Sequence, residues 1–581
     1  MTIAARHRAR CPTNGPCCGN TAVAAANNWT SSGFIDVTDT FLPPDRLPAW
    51  QLLHAHRQRL ATERVAELFD AHPKRFDELS IDACGLLADF SRQRLDRNTL
   101  DALIELARQA RLPEGIDALF SGQPVNHTEE RAALHMALRG GCPPPVADAT
   151  QVQDTASRMR TLARDLRAGV LKGASGRPIR RVVNLGIGGS DLGPRMVVEA
   201  LAGPTAKHPV MVHFAANIDP QELDEVLADA NPAETLFIVA SKSFTTAETL
   251  ANAQAARAWL RTALGPDADL GAHFVAVTNA VAAAVDFGIA KERLLPMPEW
   301  VGGRYSVWSA IGLPVLIALG ETGFEALLAG ARAMDEHFCN APLAANLPVW
   351  MGLVGLWNTD FLDQETLAVL PYAHGLRNFP AWLQQLEMES NGKRTLRDGT
   401  FSTVMTAPVV WGGAGTVGQH AFHQLFYQGT RAIPVDFIVV AGGEDPRRQA
   451  LVHNALAQAA ALTHGRSLDE AAAALRARGA DEAEIRRLAP HLTIPGNQAS
   501  TTVLLPRLDA YSLGALMALY EHKVFVQGWI WGINSFDQYG VELGKEMARR
   551  LSDATAAAHG DGATIGLKRA IAALRRGDPY P

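Results

Sequence analysis

At 581 residues the chain exceeds what one hydrophobic core supports, so two or more domains are expected. A net charge of -6, with 20% charged and 47% hydrophobic residues, suits a globular protein and lacks the basic footprint that nucleic acid or an anionic membrane surface demands. Six cysteines in so long a chain form no disulfide framework, which fits a reducing cytoplasm.

Residues 1 to about 45 are rich in Ala, Asn, Thr, Pro and Gly without a sustained period, and read as a flexible tail. Arg6, His7, Arg8 and Arg10 lead into no apolar h-region, so no secretory signal is expected. Cys11, Cys17 and Cys18 cluster without a nearby histidine and match no strong zinc spacing. Asn28-Trp-Thr and Asn126-His-Thr fit the glycosylation pattern, but without an export signal they read as chance matches. Residues 50 to 139 carry a helical pattern, as in Trp50, Leu52, Leu53 and His56, until Cys142-Pro-Pro-Pro breaks the chain.

Between about 150 and 320 the pattern becomes strand, loop and helix in turn. Strand-like runs at 181–185, 235–240 and 273–278 each lead through a loop to a helical stretch, at 196–201 and 248–260 for the first two. This alternation argues for a parallel sheet in an α/β domain. Further on, 404–411 and 433–440 are strand candidates, 450–463 is a helix, and 467–487 suits an exposed helical hairpin. A second α/β domain is the simplest account, with a ligand crevice between the two. Apolar runs such as 310–320 fall short of the roughly 20 residues of a membrane span.

Three loops could hold an anion. Gly186-Ile-Gly-Gly-Ser-Asp-Leu-Gly-Pro follows a strand and opens a helix, so its amides can face negative charge. It misses the dinucleotide fingerprint, because Asp191 stands where glycine is needed, and the Walker pattern, because Pro194 and Arg195 follow Gly193. A nucleotide cofactor is thus disfavoured. Ser241-Lys-Ser-Phe-Thr-Thr offers hydroxyls and an ammonium group suited to a phosphate monoester, the alternative being a set of helix caps. Gly302-Gly-Arg-Tyr-Ser lets backbone and the Arg304 guanidinium approach a ligand, the alternative being a structural ion pair.

Proton-transfer groups gather elsewhere. Gln384-Gln-Leu-Glu-Met-Glu-Ser-Asn-Gly-Lys sets Glu389 among amide, hydroxyl and ammonium groups, and an ionised glutamate can abstract a proton next to a carbonyl. Glu387, two residues earlier, is expected to be solvated. His420 in Gly-Gln-His and Lys545 in Gly-Val-Glu-Leu-Gly-Lys add a group titrating near neutrality and a second cation. His420 and His423 are spaced i, i+3 without a carboxylate-containing ligand set, so no metal is expected there.

GIGGSDLGP from Gly186, SKSFTTAET from Ser241, VGGRYSVWSAIG from Val301, QQLEMESNGK from Gln384, GQHAF from Gly418 and FDQYGVELGK from Phe536 together resemble the glucose-6-phosphate isomerase family. The resemblance runs from about Trp50 to Ala548. It implies two SIS-type α/β/α sandwich domains with central, mostly parallel sheets, plus an N-terminal helical segment and a C-terminal helical arm. The smaller domain would span 146–320, the larger 46–145 with 321–537, and the arm 538–581. Implied too is a cytoplasmic, metal-free and cofactor-free isomerisation of glucose 6-phosphate and fructose 6-phosphate, serving glycolysis and gluconeogenesis.

By that resemblance Glu389 carries a proton between C2 and C1 through a cis-enediol, Arg304 stabilises the developing oxyanion, and His420 and Lys545 assist ring opening, with Glu248 orienting His420. Gly189, Ser190, Ser241, Lys242, Ser243, Thr246, Gln385 and Gln538 fall where the family binds phosphate and sugar hydroxyls. A homodimer is implied, each histidine reaching the neighbouring site. Gly413, Ala414 and Val417 depart from the family's commoner Glu, Pro and Asn before the histidine, Ser243 replaces a threonine, and Tyr427 stands where histidine is common. Two rivals stay open: an isomerase that also accepts mannose 6-phosphate, and an SIS-type sugar-phosphate sensor without turnover.

Overall fold

Parallel strands buried on both faces read as continuous apolar runs, and the central strands of two sheets here are such runs. In a computed structural model that describes residues 41–143, 145–202, 209–552 and 560–577, one sheet has the order β4-β3-β5-β6-β7 and is parallel throughout. Its strands are β3 (Arg181–Leu185), β4 (Met211–Ala215), β5 (Thr235–Ala240), β6 (Phe274–Val277) and β7 (Leu294–Leu295). Every residue of β5 and β6 is buried. Val183, Leu185, Phe237, Val239 and Phe274 pack there against Leu223, Ala253 and Leu260 from covering helices.

The other sheet has the order β1-β2-β11-β10-β8-β9. Strands β8 (Thr366–Tyr372), β9 (Val409–Gly412), β10 (Val435–Val440) and β11 (Ser500–Leu505) run parallel. An antiparallel hairpin of β1 (Ser80–Ala83) and β2 (Leu86–Asp89) extends it through β11. That hairpin corrects the helical reading of residues 50 to 139. Its turn is the pair Cys84 and Gly85, with φ of 54° and 77°, the doubly left-handed backbone of a two-residue hairpin.

The expected strand at 404–411 is also corrected, to β9. Pro408 cannot donate to a ladder, and the Ser402 hydroxyl turns back to Val404 O at 2.9 Å. The expected hairpin at 467–487 is present as Leu468–Ala477 and Glu482–Leu492, closed by Ala471, Leu475, Ile485 and Ala489.

Helix Ala510–Trp531 is the interior axis: every residue from Ser512 to Trp531 is buried. It packs against Leu313–Asn340 and Leu347–Leu356. The apolar stretch at Ala310–Asn340 is longer than the run read from the sequence, and among the described residues it is the one helix long and apolar enough to cross a membrane. It kinks at Gly320, and most of its apolar window is covered by the fold.

The described chain from Leu42 forms one compact unit. Cys11, Cys17, Cys18 and Asn28, and the tail up to residue 40, lie outside the described residues, whereas Pro44–Arg46 already form a helical turn. Asn126 of the other glycosylation match is buried, donating to Glu129 Oε2 at 2.9 Å and accepting from Asn534 Nδ2 at 2.8 Å.

Candidate active site

Ligands of open parallel sheets sit beyond the carboxyl ends of the strands, and the predicted anion loops lie there. Residues 186 to 191 leave β3, residues 241 to 246 leave β5, and Asn279 follows β6. A cavity of about 620 Å³ opens between them, lined among others by Ser190, Ser241, Lys242, Ser243, Thr246 and Gln538.

The first loop takes one turn of 3-10 helix at Gly188–Ser190 before Leu192–Leu201. Gly188 has φ +59°, and Gly189 lies so close to the Gly303 carbonyl that an added Cβ would sit 2.0 Å from its oxygen. This approach brings the 186–191 loop against the Gly303–Trp308 turn, which carries Arg304. In the second loop Thr246 precedes helix Ala247–Leu264 but makes no side-chain cap. The hydroxyls instead pair with one another, Ser241 with Thr246 at 3.0 Å and Ser243 with Thr245 at 2.6 Å. That disfavours the capping alternative. Lys242 Nζ donates to Glu299 O at 3.2 Å and pairs with Glu299 Oε2 at 3.0 Å.

Arg304 is 4% exposed and fully engaged. Its Nε donates to Ser390 Oγ at 2.6 Å, its Nη2 to Ser535 O at 2.6 Å and Asp537 O at 3.0 Å, and its Nη1 to Gln538 Oε1 at 3.2 Å. The same Nη1 lies 3.3 Å from Glu389 Oε2, which also accepts from Gln385 Nε2 at 3.0 Å. Arg304, Gln385, Glu389 and Gln538 are thus one connected group, and Gln538 joins it to the cavity wall. Glu389 ends a π-helical turn, Gln385–Glu389, a wide-turn geometry frequent at functional sites.

Glu387 corrects the expectation of a solvated residue. It is fully buried, and its Oε2 accepts from Lys523 Nζ at 2.7 Å. The two carboxylates therefore sit in opposite surroundings.

His420, Lys545 and Glu248 are not brought into this group within one chain. His420 is exposed at the end of Gly415–Gln419. Lys545 is exposed on Glu542–Ser552 and pairs with Glu542 at 2.8 Å. Glu248 is half-buried at the start of its helix. Like Arg304, Gln385 and Glu389, none of them lines the cavity directly. The altered loop before His420 is nonetheless held: Gln419 Nε2 donates to Tyr372 Oη at 2.9 Å, and Gly415 rests on the Tyr372 ring. Val417 is 69% exposed. His423 is buried, its Nδ1 3.3 Å from Gln458 Oε1. The Tyr427 hydroxyl bonds to the same oxygen.

Several residues here were given no role of their own in the sequence. Lys393, the last residue of the Glu389 motif, donates to Ser390 O at 2.9 Å and Asp537 O at 2.8 Å and pairs with Asp537 at 3.2 Å. Burial, then the neighbouring Arg304 charge, pulls its ammonium down to about 8. Tyr305 places its hydroxyl 2.9 Å from Ser390 Oγ and stacks on His135 at 4.6 Å, and burial pushes it up to about 12. Trp308, on the same turn as Arg304, donates to buried Glu521 at 2.8 Å, which ties the turn to the core. The adjacency of Ser390 and Lys393 to Glu389 was a signal available in the sequence. Nothing local pointed to His135 or Glu521.

A family model described as phosphoglucose isomerase matches residues 89–567. The chain is 64% identical over 541 residues to a glucose-6-phosphate isomerase of Aromatoleum aromaticum, covering 93% of this chain and 99% of that one. It is 49% identical to a glucose-6-phosphate isomerase of Ectopseudomonas mendocina, over 92% of this chain and 98% of that one. A crystal structure of a glucose-6-phosphate isomerase from Chlamydia trachomatis superposes with a TM-score of 0.78 at 30% identity, covering 92% of this chain and 100% of that chain. The chain belongs to the phosphoglucose isomerase family.

Proposed function

We propose that this protein interconverts glucose 6-phosphate and fructose 6-phosphate, an aldose–ketose isomerisation that runs through a cis-enediol. The observation that carries the reading is the Glu389–Arg304 contact at 3.3 Å, joined through Gln538 to a cavity lined by loop hydroxyls. Ser190, Ser241, Lys242, Ser243 and Thr246 hold the phosphate end, with Gly189 allowing the close approach of the first loop. Gln385 and Gln538 meet the sugar hydroxyls. Glu389 removes the C2 proton of the open-chain aldose and returns it to C1, while the enediol oxygens shed charge toward the Arg304 guanidinium. Such fixed charge stabilises a developing oxyanion without reorganising.

His420 and Lys545 assist ring opening, and Glu248 orients His420. Their exposure in one chain supports a homodimer in which a second copy brings His420 to the site. The apolar residues Leu543, Met547, Leu567 and Ile571, exposed along the C-terminal arm, favour a partner surface there. The division into a smaller domain at 146–320 and a larger one at 46–145 with 321–537 is supported by the membership of the two sheets. The reading places the protein in the cytoplasm, in glycolysis and gluconeogenesis, without a metal or other cofactor.

An NADP-coupled assay of fructose 6-phosphate conversion, after chelator treatment, tests the activity. No turnover sinks the function or its metal-free form, and restoring metal tells which. Strong activity on mannose 6-phosphate defeats the narrow substrate range. Mixing inactive Glu389→Gln and His420→Gln chains tests the shared site: exchange into heterodimers should restore activity at one site, and a mixture that stays inactive despite exchange would count against it.

A further inference from the structure

Glu387 and Asn391 flank the proposed base and both reach back to one helix. The Glu387 carboxylate accepts from Lys523 Nζ at 2.7 Å, and Asn391 Nδ2 donates to Val524 O at 2.9 Å. Lys523 and Val524 lie on Ala510–Trp531, the buried axis of the fold. Residues two apart on a helical turn do not share a face. Pinning 387 and 391 to the axis therefore turns 389 the other way, toward Arg304. The anchor continues to the guanidinium: Ser535 Oγ donates to Asn391 Oδ1 at 2.7 Å, and Ser535 O accepts from Arg304 Nη2 at 2.6 Å.

An ion pair this deep, with side chains 2% and 0% exposed, adds little net stability, because desolvation offsets the attraction. What it supplies is direction. We infer that Glu387, held by Lys523, is a positioning residue that aims the Glu389 carboxylate at the reacting carbons. This rests on the isomerase reading, and it is a role for this chain's interior beyond the residues that meet substrate.

The test replaces the pair by two residues of similar length, Lys523→Met with Glu387→Met, since such exchanges of buried pairs are often neutral or stabilising. The expected result is kcat for fructose 6-phosphate lowered about 100-fold, the loss typical of a misplacement near 1 Å, with KM within about threefold and a cooperative melt retained. A merely structural role would lower the melting temperature and leave kcat of the folded fraction unchanged. Glu387→Gln keeps the length and one hydrogen bond to Lys523 but loses its charge-assisted strength, and should fall between, at about tenfold. A folded double variant with kcat within about threefold of the parent overturns the inference. If the double variant does not fold, Glu387→Gln with the parent's kcat overturns it alone. A parent protein without turnover would instead defeat the isomerase reading.

Discussion

Gly189→Ala probes the contact that joins the two halves of the site. A Cβ built on Gly189 would lie 2.0 Å from Gly303 O, 2.2 Å from Gly303 C and 2.8 Å from Arg304 N. All three are backbone atoms, so no change of rotamer relieves the clash. Restoring an ordinary contact of roughly 3.5 Å requires about 1.5 Å of movement between the loop carrying Ser190 and the turn carrying Arg304. The phosphate end and the reacting end of a substrate would then no longer meet their partners together. Misplacement of about 1 Å costs on the order of 100-fold, so kcat/KM should fall about 100-fold. Overpacking should also lower stability by about 1–3 kcal/mol. The coupled assay with fructose 6-phosphate and a urea melt read both quantities. A folded Gly189→Ala protein with kcat/KM within about threefold of the parent would refute the idea that this approach sets the site geometry.

Glu389→Gln should lower kcat by about 100- to 10,000-fold, the range of general base catalysis, while inorganic phosphate still competes with substrate; an active variant removes Glu389 as the base. Glu299→Gln frees Lys242 from a partly exposed pair worth at most about 1 kcal/mol, so inhibition by inorganic phosphate should tighten by up to about fivefold at low salt. An unchanged inhibition constant would show that the pair does not compete with phosphate. Asp436 is buried, and burial raises its carboxyl from 3.8 to about 6, with Lys523 opposing. Its folded form holds the proton longer than the unfolded one, so its contribution is present at low pH and lost as pH rises through about 6. The total is about 3 kcal/mol, of which roughly half falls between pH 5 and pH 8. Asp436→Asn should flatten the pH dependence of the urea midpoint by that amount, and parallel profiles would contradict it.

Much of this site was legible because its chemistry is local. The run after β3, the hydroxyl loop after β5 and the Glu389 segment each place their donors within a few residues, and the strand-loop-helix alternation sets them at the ends of parallel strands. The α/β class followed from the same alternation, since buried parallel strands must be apolar on both faces. The hairpin at Ser80–Asp89 escaped because short apolar runs do not distinguish strand from helix, and its turn rests on a non-glycine residue with positive φ.

The tertiary structure decided what distance along the chain conceals. Glu387 and Glu389 differ by two positions in one motif, yet one faces Lys523 in the core and the other faces Arg304. Composition cannot separate them, because burial is a property of the helix face and of what packs on it. The same holds for Arg304, whose partners at 390, 535, 537 and 538 come from segments that only folding brings together. Which side chains are present, and on which loops, follows from the order of residues alone. The packing of helix Ala510–Trp531 behind the Glu389 turn decided which carboxylate is locked in the core and which faces Arg304.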